Sequence, residues 1–110
     1  MDQSDFRKRS EKRLKEIMCV LVAKGDEYSR EDTFSNFYHS GDMCRCSPEY
    51  ALFSCASKHI VAVADFIVDL EEGRYQPLKR WLEKTGDIIA YMLLLEAMVE
   101  ENSNFETGVL

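Results

Sequence analysis

Residues 47–73 read SPEYALFSCASKHIVAVADFIVDLEEG, and this stretch decides the fold. Ser47 followed by Pro48 is typical of a helix N-cap and first helical residue, and Gly73 marks the far end. Apolar residues recur between them in steps of three and four, which predicts a helix from Pro48 to about Glu72. The predicted core stripe is Leu52, Ala56, Ile60, Val63, Ile67 and Leu70.

Two further helices are predicted outward from this stretch. The first runs from about Ser4 to Lys24, and Gly25 is expected to end it. The last runs from Pro77, a first-turn residue, to about Asn102, and its second half, IIAYMLLLEAMV, is apolar nearly all round. The remaining residues, 103–110, have no apolar period and are expected to form a flexible tail.

Residues 26–47 lack the apolar period and mix small polar residues with five aromatic rings, four of Phe or Tyr and one of His39. Such a connection is typical either of a site-forming loop or of short helical turns packed by their own side chains. The sequence therefore predicts an all-α fold, a compact bundle of three long helices plus this aromatic-rich loop. With 110 residues, one domain over residues 1–102 is expected. The apolar last helix needs more cover than two partners supply, which predicts a homo-oligomer.

The charge of the chain bears on its partners and its location. The net charge is −6, so nucleic acid is disfavoured as a partner. No run reaches the ~18 apolar residues of a membrane span. The first residues, MDQSDFRKRSEKR, do not resemble a secretory signal. We therefore expect a cytoplasmic protein that has no membrane partner, with cysteines present as reduced thiols.

Charged residues at helical spacing are the first candidate site. Lys58, Asp65 and Asp69 share one stripe of the second long helix, as either a solvated face or a binding face. Glu83 and Asp87 lie four apart on the third helix, on a stripe that continues into its apolar half. Burying two unpaired acids costs several kcal/mol, so a cation should meet them. The candidates are Lys58, Lys24 and a divalent ion, and Mg²⁺ with substrate phosphates suits such carboxylates.

Four soft ligands, His39, Cys44, Cys46 and Cys55, form a second candidate site. Structural zinc sites usually space their cysteines two to four residues apart, and Cys44 and Cys46 are closer than that. Zinc therefore remains the minor alternative. His59, a helical neighbour of Cys55, fits a partly buried, satisfied histidine better than a catalytic base.

Several residues together resemble a family of small uncharacterised bacteriophage and prophage proteins. The pattern reads KGxEYSxxDxxSNF from Lys24, then KHI from Lys58, then EKxxDxxxYxxLL from Glu83, and it spans residues 24–95. These proteins look distantly similar to the MazG-like all-α nucleotide pyrophosphatases, in which acids on two helices hold Mg²⁺. The resemblance implies metal or phosphate roles for Glu83 and Asp87. The ExxE pair that those enzymes carry on the preceding helix is replaced here by the wider spacing of Lys58, Asp65 and Asp69.

Three hypotheses follow. In the first, the protein binds or hydrolyses a nucleotide. Its metal ligands are Glu83, Asp87 and Asp65, its phosphate contacts are Lys24 and Lys58, and its base-stacking residues are Tyr28 and Phe37. Without turnover, the same site would sequester a signalling nucleotide. In the second, an acidic phage protein in the host cytoplasm binds and inhibits a host defence protein. In the third, the polar stripe only fixes helix register in a structural oligomer.

Overall fold

The chain folds into four helices in a computed structural model, which describes the backbone of residues 1–28 and 34–102 and the side chains of residues 1–23 and 34–102. The helices are α1 (Gln3–Tyr28), α2 (Ser35–Cys44), α3 (Pro48–Glu71) and α4 (Leu78–Asn102). No strand occurs in these described ranges. The all-α fold class predicted from the sequence is confirmed.

The ends of α3 and α4 follow the predicted stop and start signals. The Ser47 hydroxyl accepts a hydrogen bond from the backbone N–H of Tyr50 (3.1 Å), which caps the first turn of α3. After α3, Gly73 adopts φ = +79°, a left-handed conformation that glycine reaches without steric cost. Pro77 directly precedes α4, whose last residue is the predicted Asn102.

The first helix is longer than predicted. Its start is capped by Asp2, whose carboxylate accepts from the backbone N–H of Asp5 (2.8 Å). Its helical backbone passes through Gly25 and continues to Tyr28, so the expectation that Gly25 ends it was wrong. A single glycine costs a helix only about 1 kcal/mol, which the flanking residues can offset.

The aromatic segment forms a regular ten-residue helix, α2, so the helical alternative is the right one. Its inner face is built from Phe34, Phe37, Tyr38 and Gly41, spaced three or four apart. Arg45 ends the helix at φ = 56°. A Cβ at position 41 would lie only 2.8 Å from the carbonyl oxygen of Cys46, so the chain can fold back tightly only over glycine.

The chain divides into two compact units, residues 1–33 with α1 and residues 34–110 with α2, α3 and α4. In the second unit, α3 packs against both α2 and α4. Its buried core consists of Phe34, Leu52 and Met98. The partly buried side chains packed against that core are Phe37, Tyr38, Tyr91, Leu94 and Leu95. The predicted tail, residues 103–110, lies outside the described residues.

A hydrogen-bonded chain ties the three helices of this unit together at the end of α4. The Tyr38 hydroxyl donates to Oδ1 of Asn102 (2.7 Å), and Nδ2 of Asn102 donates to Oε1 of Glu49 (3.3 Å). Asn102, the last residue of α4, therefore links α4 to both α2 and α3.

The predicted core stripe of α3 is only half right. Leu52 and Ala56 are fully buried, whereas Ile60, Ile67 and Leu70 are 41–47% exposed, and Phe66 is buried in their place. Among the described residues, α3 alone is long and apolar enough to cross a membrane. Core helices of soluble proteins pass the same criterion, so this feature is weak evidence for a span.

Candidate functional site

Four polar or ionisable side chains meet between α3 and α4. Cys55 and His59 lie four apart on α3, and Asp87 and Tyr91 lie four apart on α4, so each pair shares one face of its helix. All four side chains are half-buried. We call these four residues the seam cluster.

The strongest contact in the seam cluster joins the two helices. Nδ1 of His59 lies 3.6 Å from Oδ2 of Asp87, and the two side chains are 21% and 23% exposed. This is an ion-pair distance rather than a hydrogen-bond distance, and the attraction acts when the imidazole is protonated. The imidazole also stacks on Tyr91, with ring centroids 5.6 Å apart and planes at 30°.

The surroundings of Tyr91 keep its phenol neutral. Burial raises the pKa of the Tyr91 hydroxyl above its usual 10.0, and electrostatic interaction with the neighbouring Cys55 and Asp87 raises it further. At neutral pH the hydroxyl is therefore a hydrogen-bond donor. The seam cluster thus combines a carboxylate, a neighbouring imidazole, a thiol and a neutral phenol.

Aromatic and basic groups continue the seam beyond the cluster. Phe66, seven residues after His59, is buried and meets the Trp81 ring edge-on at 5.3 Å. The guanidinium of Arg80 lies over the Phe66 ring, 5.2 Å from its centroid. Lys84, seven residues before Tyr91 on the same face of α4, is half-buried. The seam therefore has a cationic side as well as an acidic one.

A separate acidic group, Asp69, is used by the turn between α3 and α4. Its carboxylate accepts from Nε2 of Gln76 and from Nη2 of Arg74, both at 3.1 Å. These hydrogen bonds, from Gln76 first and Arg74 second, hold the pKa of Asp69 below its usual 3.8. Gln76 in turn accepts from Arg80 (2.8 Å). The predicted binding stripe thus loses Asp69 to a structural role.

The predicted metal ligands do not meet. Asp65 and Glu83 are exposed, while Asp87 is half-buried in the seam cluster. Among the described side chains, those of residues 1–23 and 34–102, no group of three or more His, Cys, Asp or Glu is arranged to hold a metal ion. These three carboxylates are not gathered into such a group, and the magnesium role stays a prediction.

The cation expected to meet Asp87 is histidine. Lys58 is exposed, and none of the described ion pairs includes it, whereas His59, the next residue, faces Asp87. His59 is half-buried, as expected, and its interpretation as a satisfied histidine rather than a catalytic base stays a prediction. The side chains of Lys24 and Tyr28 lie outside the described residues.

Two other predictions concern α2 and the cysteines. Phe37, the predicted base-stacking residue, is half-buried and packs against the core of Phe34, Leu52 and Met98. The four soft ligands do not form a metal-binding group within the described part of the chain, and all four cysteines are free thiols. His39 and Cys44 are exposed.

Sequence reasoning missed Tyr91 and Lys84 as parts of the site. A usable signal was present, because Cys55 with His59 and Asp87 with Tyr91 form two i,i+4 pairs on the only two helices predicted to be long and apolar. Only the register of α3 against α4 shows that these pairs face each other. That register depends on the turn at Gly73 and on the packing of Phe66.

The chain was compared with protein-family models, with curated proteins and with solved structures. None of the three comparisons gives a match.

Proposed function

We propose that this protein is a small cytoplasmic nucleotide-binding protein that holds its ligand at the seam between α3 and α4. The observation that carries the proposal is the half-buried His59–Asp87 pair between α3 and α4, with the His59 ring stacked on Tyr91. The resemblance to small phage proteins and to MazG-like pyrophosphatases supports the ligand class, and a phage protein would act in the host cytoplasm.

A purely structural role explains this pair less well. Half-buried ionisable groups are costly to desolvate, and apolar residues of similar size usually pack a helix interface as well or better. Half-buried ionisable groups that gather between two helices are therefore more typical of a binding site than of a core. The ammonium of Lys84 offers positive charge to a phosphate, and the imidazole of His59 and the hydroxyl of Tyr91 offer hydrogen-bond donors. Trp81 and Phe66 supply aromatic surface further along the seam.

The proposal is for binding without turnover. Nucleoside triphosphate hydrolysis of the MazG type needs carboxylates from two helices around Mg²⁺. Here Asp65 and Glu83 are exposed and Asp87 lies against His59. A protein with this arrangement sequesters a nucleotide, for example a signalling nucleotide. Magnesium then matters only to the extent that the ligand brings it on its phosphates.

The test is a thermal-shift titration of the full chain with nucleoside mono-, di- and triphosphates and cyclic dinucleotides, each with and without Mg²⁺. A ligand at a hundred times its dissociation constant should stabilise the protein by about 2.7 kcal/mol. His59→Gln and Asp87→Asn should remove the shift. The matched control is Glu83→Gln, one turn away on the same helix and exposed, which should keep it.

Each other outcome of this titration contradicts a stated part of the proposal. A Mg²⁺-dependent shift that Glu83→Gln also removes would replace the histidine site with the predicted carboxylate site. Release of pyrophosphate from a bound triphosphate would show turnover. A flat response to every nucleotide would reject nucleotide binding altogether.

In that last case, the acidic-inhibitor hypothesis becomes the better one. The chain has 20 acidic and 14 basic residues, and a surface of this sign can occupy a basic groove on another protein. Binding of that kind weakens steeply with salt and does not depend on His59.

A further inference from the structure

The side of α3 that points away from α4 is an uninterrupted apolar surface. Its large side chains are 41–59% exposed, namely Phe53, Ile60, Val61, Ile67 and Val68. Two small residues, Ser57 and Ala64, lie among them. The Ser57 hydroxyl donates to the carbonyl oxygen of Ser54 (2.7 Å), so it does not need water as a partner. We call these seven residues the outer face of α3.

The outer face is about as large as the largest apolar patches on soluble monomers, which are often functional. Five large apolar side chains, each about half exposed, make a contiguous patch on the order of 500 Å². Patches of this size mark interaction sites. Two copies of such a patch would together bury about 1,000 Å², which is near the lower limit for a specific protein interface.

The spacing of the outer face fits a second helix. Phe53, Ile60 and Ile67 are seven apart, as are Ser57 and Ala64, and as are Val61 and Val68. A seven-residue repeat is the pattern of a left-handed helix pair, and small residues at one of its positions let the two axes approach closely. The repeat extends over residues 53–68, about 22 Å of helix.

The charges beside the outer face select the partner and its direction. Lys58 and Asp65, also seven apart, border one edge of the face, and neither has an ion-pair partner in the described part of the chain. In an antiparallel pair of identical helices, each edge runs along the same edge of the other copy. Lys58 of each copy then meets Asp65 of the other. In a parallel pair, the charged edge would instead meet Phe53, Ile60 and Ile67.

The register of such a pair also fits. The ion pairs require a two-fold axis midway between residues 58 and 65, that is, between residues 61 and 62. The centre of the outer face, residues 53–68, lies between residues 60 and 61. When the two-fold axis lies where the ion pairs require it, the two apolar faces therefore overlap along almost their whole length.

We infer that the protein forms an antiparallel homodimer through the outer face of α3, closed by two reciprocal Lys58–Asp65 ion pairs. The site between α3 and α4 lies on the opposite side of α3, so both copies keep it open. The inference is independent of the proposed nucleotide.

The first measurement is the mass of the full chain in solution over a hundredfold range of concentration, by light scattering or sedimentation. A dimer is expected. Ile60→Glu places two like charges near the axis and should give a monomer with an unchanged helical circular dichroism spectrum. The matched control is Ile89→Glu, an exposed isoleucine of α4 outside the face, which should stay dimeric. A wild-type monomer throughout, or a dimer lost only in the control, would overturn the inference.

Charge reversal tests the direction of the pair. Lys58→Glu and Asp65→Lys should each weaken the dimer at least fivefold, because symmetry repeats every like-charge contact twice. The double variant should restore the wild-type dissociation constant, since the two exchanged charges then face each other across the two-fold axis with opposite sign. Failure to restore it would rule out the antiparallel arrangement.

A lipid bilayer is the competing occupant, because α3 also meets the length and composition of a membrane span. Cosedimentation of the wild type and Ile60→Glu with phosphatidylcholine vesicles separates the two. Wild type that stays in the supernatant supports the dimer. Vesicle binding that Ile60→Glu abolishes would assign the face to lipid and overturn the inference.

Discussion

The two faces of α3 reverse the usual relation between polarity and burial. The inner face, against α4, carries Cys55, His59 and Asp69 among its residues, whereas the outer face has no charged residue between Phe53 and Val68. Ile60 and Ile67, on the outer face, are more exposed than His59 is. A helix in a self-contained bundle would bury the second set and expose the first.

This difference shows what each face contributes. The few fully apolar contacts of the inner face, above all Leu52 with Phe34 and Met98, hold α2, α3 and α4 together. The polar residues further along that face leave a seam able to take a ligand. The outer face adds nothing to this core. Its apolar side chains contribute free energy of burial only when a partner covers them.

The largest expected effect tests whether the inner face holds the core. Leu52→Ala should lower the free energy of unfolding by about 2.7 to 5 kcal/mol, because it removes a fully buried side chain and leaves a cavity. Ile67→Ala, a change of similar size on the outer face, should cost less than about 1 kcal/mol. Urea denaturation of both in the Ile60→Glu background measures the chain without self-association. Equal costs would mean that the two faces do not differ as described.

A smaller effect is expected from the seam cluster. Asp87→Asn should destabilise the protein by about 1 kcal/mol, because a half-buried imidazole loses its charged partner. Both changes are made in the monomeric Ile60→Glu background, where Asp65 has no dimer contact. There Asp65→Asn makes the same chemical change at an exposed position and should stay within about 0.5 kcal/mol of the parent. Thermal unfolding at neutral pH compares the two. A cost for Asp65→Asn as large as that for Asp87→Asn would remove the distinction between seam and surface.

Particular residues show how far the sequence alone could predict this fold. Ser47, Pro48, Gly73 and Pro77 act through local backbone chemistry, so the ends of α3 and the start of α4 were predicted within one residue. Gly25 has the same chemistry but no accompanying stop signal, and α1 continues through it. The helical spacing of the inner face of α2 was not recognised in the sequence, because small polar residues lie between its members Phe34, Phe37, Tyr38 and Gly41.

The site was less predictable from the sequence, because tertiary packing decides which side chains of two helices face each other. Periodicity identifies an apolar stripe but not which of two apolar stripes meets the neighbouring helix. On α3 both sides are apolar, so Ile60 and Ile67 were assigned to the core in place of Phe66. Helix α3 is therefore turned about its own axis relative to the predicted orientation. That orientation brings His59, rather than Lys58, to Asp87.

The free energy of unfolding at alkaline pH should depend on Tyr91 and so test its burial in the seam. Its pKa is raised in the folded protein, so above pH 10 the unfolded chain releases the phenol proton first, and stability falls as the pH rises. Tyr91→Phe should flatten that fall and leave the neutral range nearly unchanged. Tyr50→Phe, at an exposed position, should keep the wild-type slope. Urea midpoints measured between neutral pH and pH 11 compare the three proteins, and parallel curves for all of them would contradict the burial of Tyr91.

The smallest effect belongs to the turn, where the inner face ends at Asp69. Its pKa is lowered, so the stability that it contributes is present above pH 3.8 and is lost as the pH falls through the folded value. In the monomeric Ile60→Glu background, Asp69→Asn should therefore be less stable than its parent at neutral pH and equal to it in strong acid, whereas Asp65→Asn should follow the parent throughout. Gln76→Ala should reproduce more of this change than Arg74→Ala, because the amide of Gln76 is the larger cause of the shift and the Arg74 guanidinium is 62% exposed to competing water. If Arg74→Ala had the greater effect, the carboxylate would be acting as a surface charge. Asp69, at the end of the inner face, would then contribute no more to the stability of the fold than Lys58 and Asp65 do at the edge of the outer face.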